Sequence, residues 1–385
     1  MLIGIIGGKL QGVEGAYLAR KAGWEVRLVD KKSGMPASGM CDSFVQADVT
    51  KASHLDQALG AVDLIIPALE DDRALHSLAR WSRHRGVPLA FDPQAYAVSS
   101  SKLKSAALFK KIGLPIPLAW PQCGFPVLAK PGLGSGSKGV RIFHDLDSMQ
   151  GWFAPDFPPD DWILEEFLDG TQHSLEVIGR PGNYRLLQVT DLYVDQDFDC
   201  KRVIAPSALP PHLIAVFEKL SLTMAEALNL HGIMDVEAIY THGEFKILEI
   251  DARLPSQTPT AVYWSTGQNM VQLLQDVYIS PICESAPAEN MQRGVVYEHI
   301  HVRGDILETR GEGIMTEGGP LKLRADFFGA DEALTNFASG QEPWMATLIF
   351  CDAGQQQTRA KRDRCIAEIA KRFGIKKVVD ANPRF

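Results

Sequence analysis

The chain has 385 residues, 45% of them apolar and 22% charged, with a formal net charge of −8. That length exceeds what one core usually serves, so two or three domains are expected, and an acidic chain lacks the broad phosphate-neutralising surface that nucleic acid demands. Six cysteines, at 41, 123, 200, 283, 351 and 365, include no C-x-x-C pair, which argues against a zinc site and a disulfide framework and fits a reducing cytoplasm.

The opening MLIGIIGG lacks a basic n-region, and no run approaches the roughly 20 apolar residues of a membrane span, so a soluble, cytoplasmic protein acting on small molecules is expected. Residues 1–98 then alternate: LIGIIGG as a strand, VEGAYLARKAG as a helix closed by Gly23, EVRLVD as a strand ending at Asp30, and VDLIIPAL and PLAFD as further strands around the helical ALHSLARWSRHRG. This is a doubly wound α/β domain with its ligand edge at the strand C-termini. The turn GGKLQG is not G-x-G-x-x-G, and Lys9, Leu10 and Gln11 put polar groups where a pyrophosphate needs bare backbone. A helix start beside Lys9 still suits a carboxylate or phosphate. Asp30 stands where such folds meet a ribose.

Residues 99–180 change character. SSSKLKSAALFKKIGLPIP reads as a serine-capped helix ended by glycine and prolines. FPVLAKPGLGSGSKGVRIF reads as a strand carrying Lys130, a glycine-rich turn with Ser135 and Ser137, and a second strand. A Walker loop would lead into a helix instead. WILEEFLDG and HSLEVIG follow as strands.

In residues 181–385, HLIAVFEKLSLTMAEALNLHG is an amphipathic helix, and IMDVEAIY, THGE and FKILEIDARLPSQ form an antiparallel hairpin. Side chains two apart on a strand share a face, so Asp235 and Glu237 on one strand oppose Glu249 and Asp251 on the next, with Arg253 beyond them. A solvated acidic edge would show the same alternation. Four converging carboxylates, however, repel unless a hard cation joins them. Oxygen-only ligands point to Mg2+ or Mn2+, and magnesium usually arrives with the phosphates of a nucleotide such as ATP. The tail past Arg293 reads as mixed strands plus a terminal helix.

The order of parts resembles the ATP-grasp ligases over essentially the whole chain: Lys102 at a helix start, Lys130 before a glycine-rich loop, EEFLDG, and a carboxylate hairpin ending in EIDAR. Within that family, GGKLQG, GIMDVEAI and EIDARLPSQTPT are similar to the ligases of pyrrolysine biosynthesis, which join 3-methyl-D-ornithine to L-lysine. The resemblance implies an ATP-grasp fold behind the doubly wound domain. It implies ATP phosphates on Lys102 and Lys130, with Ser135 and Ser137 in the covering loop, adenine against Glu165, Glu166, Phe167 and Leu168, ribose near Glu176, and metal on Glu237, Glu249 and Asp251. The family's final E-x-N ends here in Asp251, which adds charge to the site.

In the mechanism this implies, Lys130 and Arg253 stabilise phosphoryl charge, and Asp235 or Glu70 is the base for an amine. The substrate residues expected are Leu10, Gln11 and Glu70 for lysine, with Ser256, Gln257 and Thr258, completed by Ser174, Glu298, Asp235 and Arg253, for the ornithine-type amino acid. Competing readings are a D-amino-acid ligase, an N-carboxylating enzyme, and a nicotinamide-dependent dehydrogenase. A homo-oligomer is compatible with the sequence.

Overall fold

The computed structural model describes residues 1–134, 136–154, 157, 160–279 and 292–383. Its first sheet is parallel, in the order β3–β2–β1–β4, from β1 (Leu2–Ile6), β2 (Glu25–Asp30), β3 (Ser43–Gln46) and β4 (Leu64–Pro67). β1 is an unbroken apolar run because both of its faces are covered. Ile3 and Ile5 pack with Val13, Ala16 and Tyr17 of α1 (Leu10–Lys21). Ile6 packs with Leu55 and Leu59 of α2 (Ala52–Leu59) and Leu78 of α3 (Asp72–Arg85).

The expected strand PLAFD contributes only a single bridge, Ile65 to Leu89. Pro88 has no N–H to give a ladder, and Asp92 already caps α4 (Pro93–Ser99), so the run is too short to pair. The expected serine-capped helix forms after α4. Ser101 caps α5 (Lys102–Lys111) by accepting from Lys104 N.

A small antiparallel sheet follows, β6–β5–β7, from β5 (Val127–Pro131), β6 (Arg141–Phe143) and β7 (Trp162–Glu166). It packs on α6 (Leu146–Phe153) through Val127, Ala129, Phe143, Met149 and Phe153.

The third sheet has twelve strands: β8 (Thr171–Arg180), β9 (Asn183–Leu186), β10 (Thr190–Val194), β11 (Cys200–Ala205), β12 (Gly232–Thr241), β13 (Glu244–Asp251), β14 (Gly294–Arg303), β15 (Ile306–Thr309), β16 (Lys322–Phe327), β17 (Ala330–Thr335), β18 (Trp344–Asp352) and β19 (Lys377–Val379). Its main path runs β13–β12–β8–β10–β11–β14–β18–β17–β16. α7 (Pro211–Leu228) covers one face at the β13 end, where Phe217 and Met224 pack with Leu175, Val236 and Ile250. Those three alternate with Glu176, Asp235 and Asp251, so the covered face fixes which way the acids point. Next along the chain come α8 (Thr258–Thr266) and α9 (Met270–Tyr278), and α10 (Gln355–Phe373) packs on β14 and β18. Among the described residues, no helix is long and apolar enough to cross a membrane.

One expected substrate residue is structural. Glu298 on β14 is fully buried and takes Arg202 Nε at 2.9 Å and Arg362 Nε at 2.7 Å. Asp380 adds a contact to Arg202 at 2.6 Å and one to Lys201 at 2.8 Å, tying β11, β14, α10 and the C-terminal segment together. Glu298 is therefore spent on two guanidiniums and does not line the cleft. Removing one member of a buried ion pair leaves its partners uncompensated, at about 3–5 kcal/mol. Glu298→Ala should lower the thermal midpoint accordingly while a ligand-binding assay on the folded fraction stays unchanged. A melt matching the parent would show that the hub carries little of the stability.

Candidate active site

The hairpin β12–β13 pairs Asp235 with Asp251 and Glu237 with Glu249, and β8 places Glu176 beside Asp235 and Ser174 beside Glu237. Five carboxylates thus share one face of three neighbouring strands, opposite α7. Burial and the mutual repulsion of Glu237, Glu249 and Asp251 push Glu237 up to about 8. Burial first, against the pull of Arg253, sets Asp251 at about 6. Asp235 is raised well above the carboxylate range by burial and by the acids around it. Burial would raise Glu249 too, but Lys102, Lys130 and Arg253 outweigh it and hold that carboxyl below its ordinary value.

Three cations answer this charge. Lys102, at the first turn of α5, contacts Glu249. Lys130 on β5 lies 2.6 Å from Glu165 on β7. Arg253 reaches Asp251 at 2.8 Å and Glu70 at 2.7 Å, and Gln11 Nε2 donates to the same Glu70 at 3.2 Å. A single guanidinium therefore joins the acid face to the N-terminal turn. Leu10, Gln11 and Glu70, expected to hold one substrate, and Asp235, Arg253, Ser256, Gln257 and Thr258, expected to hold the other, line one cleft of about 1760 Å³.

On the β5–β7 side, Glu165, Glu166, Phe167 and Leu168 line the cleft, and Leu118 N donates to Glu166 at 2.9 Å. Ser137 lines it too and donates to the Phe198 carbonyl at 2.8 Å. Ser135 falls outside the described residues. At the N-terminal turn, Lys9, Leu10 and Gln11 are on the lining. Asp30 is there as well, but its oxygens accept from Gly8 N and Lys32 N at 2.8 Å each, so it closes the turn and offers little to a ribose.

Two further expectations change. Ser174 and Glu176 are fully buried and absent from the cleft lining. Thr258 at the start of α8 reaches the Glu176 carboxyl, and burial pushes that carboxyl up to about 7. Gln172 and His173 line the cleft in their stretch instead. His173 Nδ1 sits 2.9 Å from Asp191, whose carboxylate also takes Ser207 Oγ and Ala208 N. No sequence spacing links these residues.

Ser256, Gln257 and Thr258 line the cleft where β13 gives way to α8. Gln257 has φ 70° and ψ −60°, a sparsely populated γ-turn conformation closed by Thr258 N donating to the Ser256 carbonyl at 2.8 Å. Facing this turn is Glu312, which sequence reasoning passed over. Burial raises it to about 7, opposed by the side chains of Ser256 and Gln257, and its Oε2 has no hydrogen-bond partner among the described residues. The sequence signal was an acid between two glycines, Gly311 and Gly313.

Among the described residues, no three His, Cys, Asp or Glu side chains are gathered as a ready metal cage, because Glu249 turns to Lys102 and Asp251 to Arg253. The donor set still fits a hard cation. Glu237, Glu249 and Asp251 offer only carboxylate oxygens, stand together on β12 and β13, and line the cleft, which is the donor chemistry such a cation takes.

The ATP-grasp domain family matches residues 99–257. The chain is 34% identical to the 3-methyl-D-ornithine–L-lysine ligase of Methanosarcina mazei over 372 residues, 96% of each chain. The chain belongs to the ATP-grasp ligases. A second relative, the 3-methyl-D-ornithine–L-lysine ligase of Methanosarcina barkeri, is 33% identical across 96% of this chain and 98% of its own. The ATP-grasp architecture also recurs in the biotin carboxylase domain of Hydrogenobacter thermophilus 2-oxoglutarate carboxylase, solved with MgADP, at a TM-score of 0.70 and 14% identity, covering 95% of this chain and 89% of that one. Membership of the ATP-grasp family implies the use of ATP.

The raised acids predict how the ligand-free protein responds to pH. Unfolded carboxyls release their protons near pH 4, whereas Asp251 keeps its proton to about 6, Glu14, Glu176 and Glu312 to about 7, and Glu237 to about 8. The folded chain binds more protons across that window, so its stability falls as pH rises. The thermal midpoint should drop between pH 5.5 and pH 8, and Glu237→Gln should shrink the drop. A midpoint that is flat or rises over the same range would contradict the charge assignment.

Proposed function

We propose that the protein joins the carboxylate of 3-methyl-D-ornithine to the ε-amine of L-lysine at the expense of ATP. The observation that carries this reading is Arg253, whose guanidinium spans Asp251 on the acid face and Glu70 in the segment after β4, which Gln11 of the N-terminal turn also contacts. It makes one reaction chamber of two amino-acid pockets. The near full-length relatives of that name support the choice of substrates.

A carboxylate does not acylate an amine in water, so it must first gain a leaving group. A carboxylate oxygen of the ornithine-type substrate attacks the γ-phosphorus, ADP departs, and an acyl phosphate remains. Lys102 and Lys130, held by Glu249 and Glu165 in the free protein, exchange those carboxylates for phosphate oxygens, and Arg253 faces the charge that develops on the transferred group. A divalent cation, Mg2+ or Mn2+, would sit on Glu237, Glu249 and Asp251 and supply further charge neutralisation for the phosphates.

The lysine amine then attacks the acyl carbon, phosphate leaves, and the nitrogen sheds a proton. Only about one ε-amine in 2,500 is neutral at pH 7, given a pKa of about 10.4. Asp235, raised well above the ordinary carboxylate range by burial and by the acids around it, is the base assigned to receive that proton. Glu70 and Gln11 orient lysine at the N-terminal turn. Glu312, beside Ser256 and Gln257, is the acid left over for an ammonium of the ornithine-type substrate.

Incubation with ATP, magnesium, L-lysine and 3-methyl-D-ornithine or D-ornithine should yield the ε-amide by mass spectrometry, with one ADP per amide. Lys130→Met, which keeps the stem and removes the charge, should weaken ATP binding roughly tenfold or more, as expected for a lost charge-assisted contact of about 1.5–3 kcal/mol. Phosphate release driven by bicarbonate or by D-alanine alone, with no lysine amide, would assign the protein to another ATP-grasp reaction.

A further inference from the structure

We infer that the turn between β10 and β11, residues 195–199, positions Glu312 and couples its pocket to the glycine-rich loop that carries Ser137. The inference rests on the proposed role of Glu312 in holding a substrate ammonium. Asp195 Oδ2 accepts from Gly311 N at 2.8 Å, and Asp199 Oδ2 accepts from Gly313 N at 2.8 Å. These are the amides on either side of Glu312. The grip is close: a Cβ on Gly311 would fall 2.3 Å from the Asp199 side chain, and one on Gly313 would fall 2.9 Å from its Oδ2. Neither contact leaves room for another residue type without displacing Asp199.

The turn itself is fixed from within. Asp195 Oδ1 accepts from Asp197 N at 2.8 Å and Asp199 N at 3.2 Å, and Asp195 N donates to the Asp199 carbonyl at 2.9 Å. Between these anchors Phe198 takes φ 63° and presents its carbonyl to Ser137 Oγ, 2.8 Å away. One short, self-braced element therefore touches the loop beside Lys130 at one end and the backbone of an ammonium-binding acid at the other. Charged acceptors form shorter and stronger bonds to backbone N–H groups than neutral ones, so a shift of the turn carries Glu312 with it.

Two consequences differ from those of a merely structural turn. Asp195 and Asp199 are positioning residues, so losing one should raise the KM for the amino acid at Glu312 and leave kcat and nucleotide affinity near the parent values. Coupling through a shared element is also reciprocal. Bound nucleotide and bound amino acid should each tighten the other by the same factor.

The test uses the full chain and four variants: Glu312→Gln, Asp199→Ala, Asp199→Asn and Ser137→Ala. The readouts are KM for D-ornithine and for L-lysine, kcat, and the Kd of a non-hydrolysable ATP analogue with and without saturating D-ornithine. Glu312→Gln and Asp199→Ala should each raise the D-ornithine KM roughly tenfold, and Asp199→Asn, which keeps an acceptor for Gly313 N–H, should recover most of the loss. Ser137→Ala should bring the ratio of the two analogue Kd values toward one. Its side chain is only half-buried and removes no charge from the turn, so this arm stands even where Asp199→Ala misfolds. An unchanged D-ornithine KM in Glu312→Gln overturns the role of Glu312. A loss there with a parent-like Asp199→Ala overturns the positioning by the turn, and an unchanged Kd ratio in Ser137→Ala overturns the coupling.

Discussion

Repulsion among carboxylates on one face of β8, β12 and β13 is the constraint on which the rest of the site depends. Glu176, Asp235, Glu237, Glu249 and Asp251 are placed there by strand pairing, and the apolar residues between them are held by α7 on the other side. The sheet cannot turn these acids away without burying them against Phe217 and Met224. What remains is to supply positive charge, and three separate parts of the chain bring it. Lys102 comes from a capped helix, Lys130 from the small sheet, and Arg253 from the strand end itself.

That division of labour gives the free protein its logic. Each cation already has a carboxylate partner, and each can exchange that partner for a phosphate oxygen of about the same charge-assisted strength. The site is consequently assembled before the nucleotide arrives, with the carboxyls of Glu237 and Asp251 raised by burial and by the acids beside them. A nucleotide with a hard cation supplies charge of both signs at once, which suits a face where either sign alone would be poorly accommodated.

Local rules made much of this legible in the sequence. Two-residue periodicity put Asp235, Glu237, Glu249 and Asp251 on one face without reference to anything distant, and the serine before Lys102 marked a helix start. Glu298 shows where such rules stop. Its partners Arg202 and Arg362 lie 96 and 64 residues away, so nothing near it in the chain distinguishes a structural acid from a substrate acid. Ser174 and Glu176 sit on the correct face but are fully buried, with Thr258 of α8 against Glu176, a matter of packing that alternation does not encode. Glu312 was missed for the opposite reason: its turn has no period, and its meaning comes from Asp195 and Asp199 more than 110 residues earlier. PLAFD had strand composition, yet Pro88 and the cap at Asp92 left it no length to pair.

The central claim is that this charge arrangement serves to phosphorylate the carboxylate of the ornithine-type amino acid, with lysine supplying only its side-chain nitrogen. Oxygen-18 in the substrate carboxylate tests it directly, because an acyl phosphate passes one carboxylate oxygen to the phosphate that leaves. With D-ornithine or its 3-methyl form labelled in the carboxylate and unlabelled lysine, the released phosphate should carry one heavy oxygen per amide formed. Unlabelled phosphate from labelled ornithine, or labelled phosphate when only the lysine carboxylate carries the isotope, would contradict the account.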